Sequence, residues 1–119
     1  MVFLFAKLTT LVLLSVVFIG CAGSPESLYF WGYYEDAIYD MYLEPGKSSL
    51  TDEILRLEEQ IEQAATHGKS VPPGFHAHLG YLYANDGDYN TAVIHFKREK
   101  EKFPESTDFI DGILRRMKK

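Results

Sequence analysis

The hydrophobic positions that follow residue 30 recur with the spacing of α-helices. The longest stripe has members three or four residues apart: Leu50, Ile54, Leu57, Ile61 and Ala64. This spacing places all of these side chains on one helix face. The periodic segments and the turn residues between them predict helices over about 33–43, 51–66, 73–85, 89–102 and 106–117. Long alternating runs of β-branched residues are absent, so the sequence predicts an all-α domain of about five helices.

Residues with known capping preferences mark several of the predicted helix ends. Ser49, with Asp52 three positions later, resembles a capping box. Asp88 is placed to cap the helix over 89–102, and Ser106 is placed to cap the last helix. Pro73 suits the first turn of a helix, where a missing N–H leaves no hydrogen bond unmade. The helix ends are therefore predicted from local chemistry as well as from periodicity.

The predicted core collects the apolar residues of the inner helix faces: Ile38, Ile54, Leu57, Ile61, Leu79, Leu82, Tyr83, Ala92, Val93, Phe96, Phe109 and Ile113. An aromatic cluster runs from Tyr29 into the first helix and ends at Tyr42. Large aromatic side chains most often pack in a core. Trp and Tyr are also enriched at protein interfaces, and they stack on sugar rings. Trp31 and Tyr34 are therefore candidate binding residues, with core packing as the alternative.

Residues 73–106 resemble one tetratricopeptide repeat, a helical pair of 34 residues. The matching positions are Leu79, Gly80, Tyr83, Gly87, Tyr89, Ala92, Phe96 and Pro104. The small residues Gly80 and Ala92 let the two helices approach closely. Glu99 stands where the repeat prefers a small residue, which favours a different packing of the next helix. By analogy with such repeats, a partner groove is expected on the concave side, near His78, Tyr81 and Lys97.

The first 20 residues have the pattern of an export signal. Lys7 is their one charge, and the uncharged stretch after it is shorter than the roughly 20 residues of a membrane-spanning helix. Gly20-Cys21 resembles the bacterial lipobox, although Phe18 stands where that motif usually has Leu. The resemblance implies a lipid-modified Cys21 after cleavage, and Ala22 implies the periplasmic face of the outer membrane. An ordinary cleaved signal and an uncleaved anchor are the alternatives.

The chain is thus divided into a lipoprotein signal peptide (1–20), a tether (21–27) and a helical domain (28–119). A tether of this length holds Leu28 within about 25 Å of Cys21. Palmitate and other acyl chains on Cys21 would attach the domain to the membrane.

Charge and cysteine content exclude some function classes. The formal net charge is −5, which argues against a nucleic-acid partner. Cys21 is the only cysteine, so neither an internal disulfide nor a cysteine-rich zinc site can form. Acidic residues prevail over 26–62 and basic residues over 97–119. This segregation predicts either solvated helix faces, such as the one carrying Glu58, or oppositely charged docking faces.

The sequence carries no pattern typical of catalysis. Gly-x-Ser-x-Gly, phosphate-loop and HExxH motifs are absent. His76 and His78 are two residues apart, so they point to different sides of a helix, and His95 is distant in sequence. Ligand number and spacing both disfavour a metal site. We therefore expect neither an enzyme nor a bound metal or cofactor.

The region 28–117 resembles a domain-of-unknown-function family of small bacterial lipoproteins. The segments that carry the resemblance are 29–42 with Trp31-Gly32, the loop 68–74, the stretch 80–83, and 96–100 followed by 103–106. The resemblance implies a complex at the outer membrane with a lipoprotein similar to the curli secretion channel. The expected function is a non-enzymatic protein-binding adaptor. The alternative is a glycan- or peptidoglycan-binding module that uses Trp31 and the nearby tyrosines.

Overall fold

The computed structural model describes residues 1–5, 7 and 26–118. From residue 26 onward the helices are α1 (Tyr34–Leu43), α2 (Leu50–Thr66), α3 (Phe75–Asn85), α4 (Tyr89–Lys102) and α5 (Thr107–Met117), with a 3₁₀ turn at Pro104–Ser106 before α5. The described residues contain no strand beyond an isolated parallel bridge between Tyr29 and Ser70. The all-α prediction is confirmed.

Two predicted caps are present. The Ser49 hydroxyl accepts a hydrogen bond from the Asp52 N–H at 3.1 Å, and the Asp88 carboxylate accepts one from the Thr91 N–H at 3.0 Å. Each bond satisfies one of the N–H groups that a helix leaves unpaired at its start. These caps fix the first turns of α2 and α4, as local sequence predicts.

Two other predicted helix starts are wrong. Pro73 lies in the turn before α3, because Gly74 adopts a left-handed conformation with φ 87° and forms the N-cap. The Ser106 hydroxyl donates to the Phe103 carbonyl at 2.7 Å and makes no cap bond to α5. Pro104 begins the 3₁₀ turn, and Ser106 closes this turn instead of capping the helix.

Helices α3 and α4 form a tight hairpin around Gly80. A Cβ added at Gly80 would lie 3.1 Å from the Ala92 carbonyl oxygen and 3.0 Å from a ring carbon of Phe96. Ala92 and Phe96 are buried. Gly87 has φ 88°, a conformation that glycine adopts at no steric cost. The close approach predicted for Gly80 and Ala92 is confirmed.

The core has two parts. The larger one joins α1, α2, α3 and the loop before α3: Tyr34, Ala37, Ile54, Leu57, Ala64, Val71, Phe75, Leu79 and Leu82. The smaller one joins α4 to α5 through Ala92, Phe96 and Ile110. Five predicted core residues are half-buried: Ile38, Ile61, Tyr83, Val93 and Ile113.

The prediction of Phe109 as a core residue is wrong. Its side chain is 64% exposed, whereas Ile110 is completely buried. Neighbouring positions on a helix lie about 100° apart, so α5 can turn only one of these two side chains toward Phe96. Phe109 is left on the surface.

The signal-peptide boundary and Cys21 lie outside the described residues. Among the helices that are described, none is both long and apolar enough to span a membrane. The Glu26 carboxylate pairs with Lys69 at 3.0 Å, and Phe30 donates its N–H to the Ser70 carbonyl at 2.9 Å.

Candidate functional site

An apolar groove runs over the surface between α1, α3 and α5. The first part has a volume of about 480 Å³ and is lined by Met41, Tyr42, Ala77 and His78. The second part has a volume of about 450 Å³ and is lined by Ala84, Phe96, Arg116 and Met117. Three residues line both parts: Tyr81, Phe109 and Ile113. The shared residues make the two parts one continuous surface. We refer to it as the α1/α3/α5 groove.

Three aromatic side chains of the groove are largely exposed. Tyr42 is 74%, Tyr81 52% and Phe109 64% exposed. Ala77, Tyr81 and Ala84 lie at positions i, i+4 and i+7 of α3, so they share one helix face. Ala77 and Ala84 are half-buried and pack against the smaller core, so Tyr81 is the side chain of this face that reaches solvent.

His78 lies in the wall of the groove without a hydrogen-bond partner. Its residue is 8% exposed, and its Nε2 atom is completely buried and unpaired. The ring contacts the edge of the Tyr34 ring, with centroids 5.9 Å apart. Burial lowers the pKa of His78, so the imidazole is neutral at pH 7. Unpaired buried polar atoms are rare in native proteins and require an explanation.

The other predicted binding residues are placed differently. Tyr34 is buried against Phe75, with ring centroids 5.1 Å apart, and burial followed by the Glu99 charge raises its pKa to about 12. Lys97 is exposed on α4, away from the groove lining. Of the predicted concave-side residues, the structure brings together His78 and Tyr81 only.

Trp31 is not among the residues that line the α1/α3/α5 groove. It is 40% exposed, and its ring stacks on that of Tyr34 with centroids 6.4 Å apart. The Gln60 side-chain amide donates to the Trp31 carbonyl at 2.8 Å, which fixes the backbone there. Trp31 therefore contacts Tyr34 and is also partly exposed to solvent.

A buried polar network joins α2, α3 and α4. The Glu58 carboxylate accepts a hydrogen bond from the Tyr83 hydroxyl at 3.0 Å and lies 3.1 Å from His95 Nε2. The other ring nitrogen of His95, Nδ1, is 3.1 Å from His76 Nδ1. His76 and His95 are each 2% exposed. The Glu58 side chain is itself 38% exposed, so it closes the network at the surface and still belongs to a solvated face.

Both histidines of the network are neutral at pH 7. Burial, together with the neighbouring His95, Arg98 and Lys102, lowers the pKa of His76 to about 4. Burial also lowers the pKa of His95, while the Glu58 carboxylate opposes this effect. With both rings neutral, His95 donates Nε2–H to Glu58 and accepts at Nδ1 from His76 Nδ1–H.

His76 and His95 are distant in sequence, so spacing alone does not pair them. The register of the α3–α4 hairpin places them opposite each other. Gly80 faces Ala92, and the two helices run in opposite directions. His76, one turn before Gly80, therefore lies opposite His95, almost one turn after Ala92. The register could have been read from the repeat pattern, whereas the position of Glu58 on α2 could not.

Glu99 caps α3 from a neighbouring helix. Its carboxylate is buried and accepts the N–H groups of Gly74 at 2.6 Å and Ala77 at 3.2 Å. Gly74 has no side chain to do this itself, and a negative charge is favourable at a helix N-terminus. The residue that departs from the repeat pattern therefore stabilises the start of α3.

The described part of the chain holds no group of three or more His, Cys, Asp or Glu side chains arranged to bind a metal. Its fold and surface are those of a small all-α protein with an aromatic-lined groove. The family model for Domain of unknown function (DUF4810) matches residues 28–113, and the chain belongs to this family. The match spans α1 to α4 and most of α5. No curated protein and no solved structure matches the chain.

Proposed function

We propose that the protein is a non-enzymatic adaptor of the bacterial envelope whose α1/α3/α5 groove binds an apolar helix of a partner protein. The observation that carries the proposal is the exposure of Tyr42, Tyr81 and Phe109 along one apolar groove. Exposed contiguous apolar surface is typical of a binding site, and aromatic side chains contribute most to binding at interfaces.

A tetratricopeptide-like arrangement of α3 and α4 is part of this proposal. The contact of Gly80 with Ala92 and Phe96 supports it. In such arrays the first helix of each pair lines the concave side, and here α3 lines the groove. Helices α1 and α5 would then supply the surfaces that further repeats supply in longer arrays.

The proposed location is the periplasmic face of the outer membrane, with acyl chains on Cys21. The sequence supports it through Gly20-Cys21 and Ala22. Glu26 pairs with Lys69 of the helical domain. Five residues span at most about 18 Å, so a lipid on Cys21 would hold Glu26 within about that distance of the membrane surface. The proposed partner is an envelope lipoprotein similar to the curli secretion channel, as the family resemblance implies.

Replacement of Cys21 by Ser tests the anchor. The wild-type protein should incorporate labelled palmitate and fractionate with the outer membrane, whereas Cys21→Ser should do neither, because serine lacks the thiol that is acylated. Equal membrane fractionation of both proteins would contradict lipid anchoring.

Affinity purification from gently solubilised envelopes tests the groove. The wild-type protein should recover a stoichiometric lipoprotein partner, and Tyr81→Ala should lose it. Tyr89→Ala is the matched control, because Tyr89 is 59% exposed and lies outside the groove lining. Recovery of the protein alone at low salt, or equal loss in both variants, would count against an adaptor that uses this groove.

One observation favours a second candidate function. Trp31 is 40% exposed, and an exposed indole can stack on a sugar ring of peptidoglycan. Peptidoglycan fragments should then protect Trp31 fluorescence from quenching by iodide, and unchanged quenching would remove this candidate. Trp31→Phe is the control for the signal, since Trp31 is the only tryptophan.

A further inference from the structure

We propose that two copies of this chain bind each other through oppositely charged surfaces. The acidic groove between α2 and α4 of one copy, which contains Glu59 and Glu62, receives the basic end of α5 of the other copy, formed by Arg115 and Lys118. These four residues lie outside the lining of the α1/α3/α5 groove. The proposal therefore goes beyond the adaptor function and does not depend on it.

The two charged segments of the chain do not neutralise each other in the folded monomer. Acidic residues prevail over 26–62 and basic residues over 97–119. Among the described residues, no ion pair joins an acidic side chain of the first segment to a basic side chain of the second. The ion pairs that do form lie within one segment or involve Lys69 or His95. The segregated charge therefore stays on the surface, where it can act between molecules.

The groove between α2 and α4 combines carboxylates with apolar surface. It has a volume of about 480 Å³ and is lined by Leu55, Glu58, Glu59, Ile61, Glu62 and Arg98. We refer to it as the α2/α4 groove. Leu55 is 61% exposed although it is apolar. Three carboxylates and one guanidinium give the groove a net negative charge, so it suits cationic side chains with long aliphatic stems.

Two of the three carboxylates have no partner within the chain. Glu58 lies 3.1 Å from His95 Nε2 and belongs to the buried network. Glu59 and Glu62 are exposed, and neither makes an ion pair with another described residue. Arg98 lines the same groove but pairs with none of the three. The α2/α4 groove therefore presents two unpaired carboxylates beside exposed apolar surface.

The end of α5 supplies the matching charge. Arg115 and Lys118 are three positions apart, so they share one helix face, and both are exposed. Neither makes an ion pair with another described residue. Asp111, one turn earlier, is already paired with Lys100. The stems of Arg115 and Lys118 are long enough to cover apolar surface while their charged ends meet carboxylates.

A second copy is the occupant that the chain itself provides. Every molecule carries both surfaces, and both remain unpaired within one molecule, so a contact between copies satisfies the two together. The contact joins different surfaces of the two copies and is heterologous. Exposed ion pairs are weak and are screened by salt. We therefore expect a weak, reversible association that salt disrupts.

Sedimentation equilibrium of the full-length protein in density-matched detergent micelles tests the proposal. The association constant should fall about tenfold or more between about 50 mM and about 500 mM sodium chloride, because salt screens the contact. Arg115→Glu with Lys118→Glu should lower it by a similar factor at low salt, since like charges then face each other. Glu59→Lys with Glu62→Lys should do the same. All four substitutions in one chain should restore the association, because the charges are then exchanged.

Glu35→Lys with Asp36→Lys is the matched control. Both residues are exposed acids of α1, in the same acidic segment but outside the α2/α4 groove. The control changes the net charge as much as Glu59→Lys with Glu62→Lys, and it should associate as the wild-type protein does. Circular dichroism checks that each variant is folded. An equal loss in the control would assign the effect to net charge and overturn the proposal.

Carbodiimide cross-linking locates the contact. This reagent joins a carboxylate directly to an amine, so Lys118 of one copy should couple to Glu59 or Glu62 of another. The protein is cross-linked as a mixture of isotope-labelled and unlabelled chains. A cross-linked pair of peptides with one labelled half comes from two molecules, and such pairs are expected.

The contrary results are distinct from those that test the adaptor function. A protein that is monomeric at low salt, a combined variant that does not recover, or cross-links of Lys118 confined to one molecule would each overturn the proposal. Tyr81 and Arg116 of the α1/α3/α5 groove are unchanged in every variant. The adaptor function would therefore stand if self-association failed, and loss of the envelope partner in Tyr81→Ala would leave self-association intact.

Discussion

The buried histidine pair makes the stability of the domain depend on pH. In the folded state burial, together with the nearby His95, Arg98 and Lys102, lowers the pKa of His76 to about 4 from its ordinary value of 6.5. Between these two values the unfolded chain binds a proton that the folded chain does not, so unfolding becomes more favourable as the pH falls. Above pH 6.5 the residue is neutral in both states and contributes no pH dependence.

The size of the effect follows from the two pKa values. Each pKa unit corresponds to about 1.4 kcal/mol, so between pH 7.5 and pH 4.5 the free energy of unfolding should fall by about 2 to 3 kcal/mol through His76 alone. Burial lowers the pKa of His95 as well, which adds to the loss. Arg98 and Lys102 oppose protonation of His76, while Glu58 on the far side of His95 favours a proton there.

Urea unfolding followed by circular dichroism measures this dependence. Asn at position 76 has an amide that can donate to His95 Nδ1 but does not titrate. The variant His76→Asn should be less stable at pH 7.5, since it leaves a small cavity, yet it should lose about 2 to 3 kcal/mol less than the wild-type protein on acidification. His67→Asn is the matched control, because His67 is exposed. Parallel losses in the wild-type protein and His76→Asn would refute the buried pair as the cause.

Two further predictions concern α3. Gly80→Ala should lower the free energy of unfolding by about 1 to 3 kcal/mol, because the added Cβ would lie 3.0 Å from a ring carbon of Phe96. The control Gly112→Ala, whose added Cβ would lie 3.9 Å from the nearest atom, should raise this free energy by about 0.5 to 1 kcal/mol. Equal effects of the two variants would contradict the close approach of α3 and α4. Glu99→Gln should lower the free energy of unfolding at pH 7 by about 1 to 3 kcal/mol, because the carboxylate that accepts two N–H groups is lost. An unchanged midpoint of urea unfolding would show that α3 does not need this cap.

The local elements of the fold could be predicted from the sequence. Helix α2 is determined by an apolar stripe with Ser49 at its start, and the α3–α4 hairpin by small residues at 80 and 92. These features act over one or two turns of helix, so neighbouring residues contain the information. The failed caps at Pro73 and Ser106 show the limit of such rules, because Gly74 and Pro104 change the backbone path next to them.

The candidate site depended more on tertiary structure. Tyr81 could be predicted as exposed on the concave side, since Gly80 beside it must face α4. The exposure of Phe109 and the burial of Ile110 depend on the rotation of α5 about its axis. The periodic pattern does not decide which of these two neighbouring apolar residues faces the core. The unpaired His78 could not be foreseen, because periodicity does not report whether a polar atom has a partner.

By itself the sequence determined the helices, the tight hairpin and the export pattern around Cys21, since each depends on residues close together in the chain. Tertiary structure alone decided that Glu58, His95 and His76 form a network, that Glu99 caps α3, and that α1 and α5 flank an apolar groove. These contacts join residues 19 to 37 positions apart in sequence within the network and 22 to 25 positions apart at the Glu99 cap. Only the packing of whole helices sets the distances between such residues.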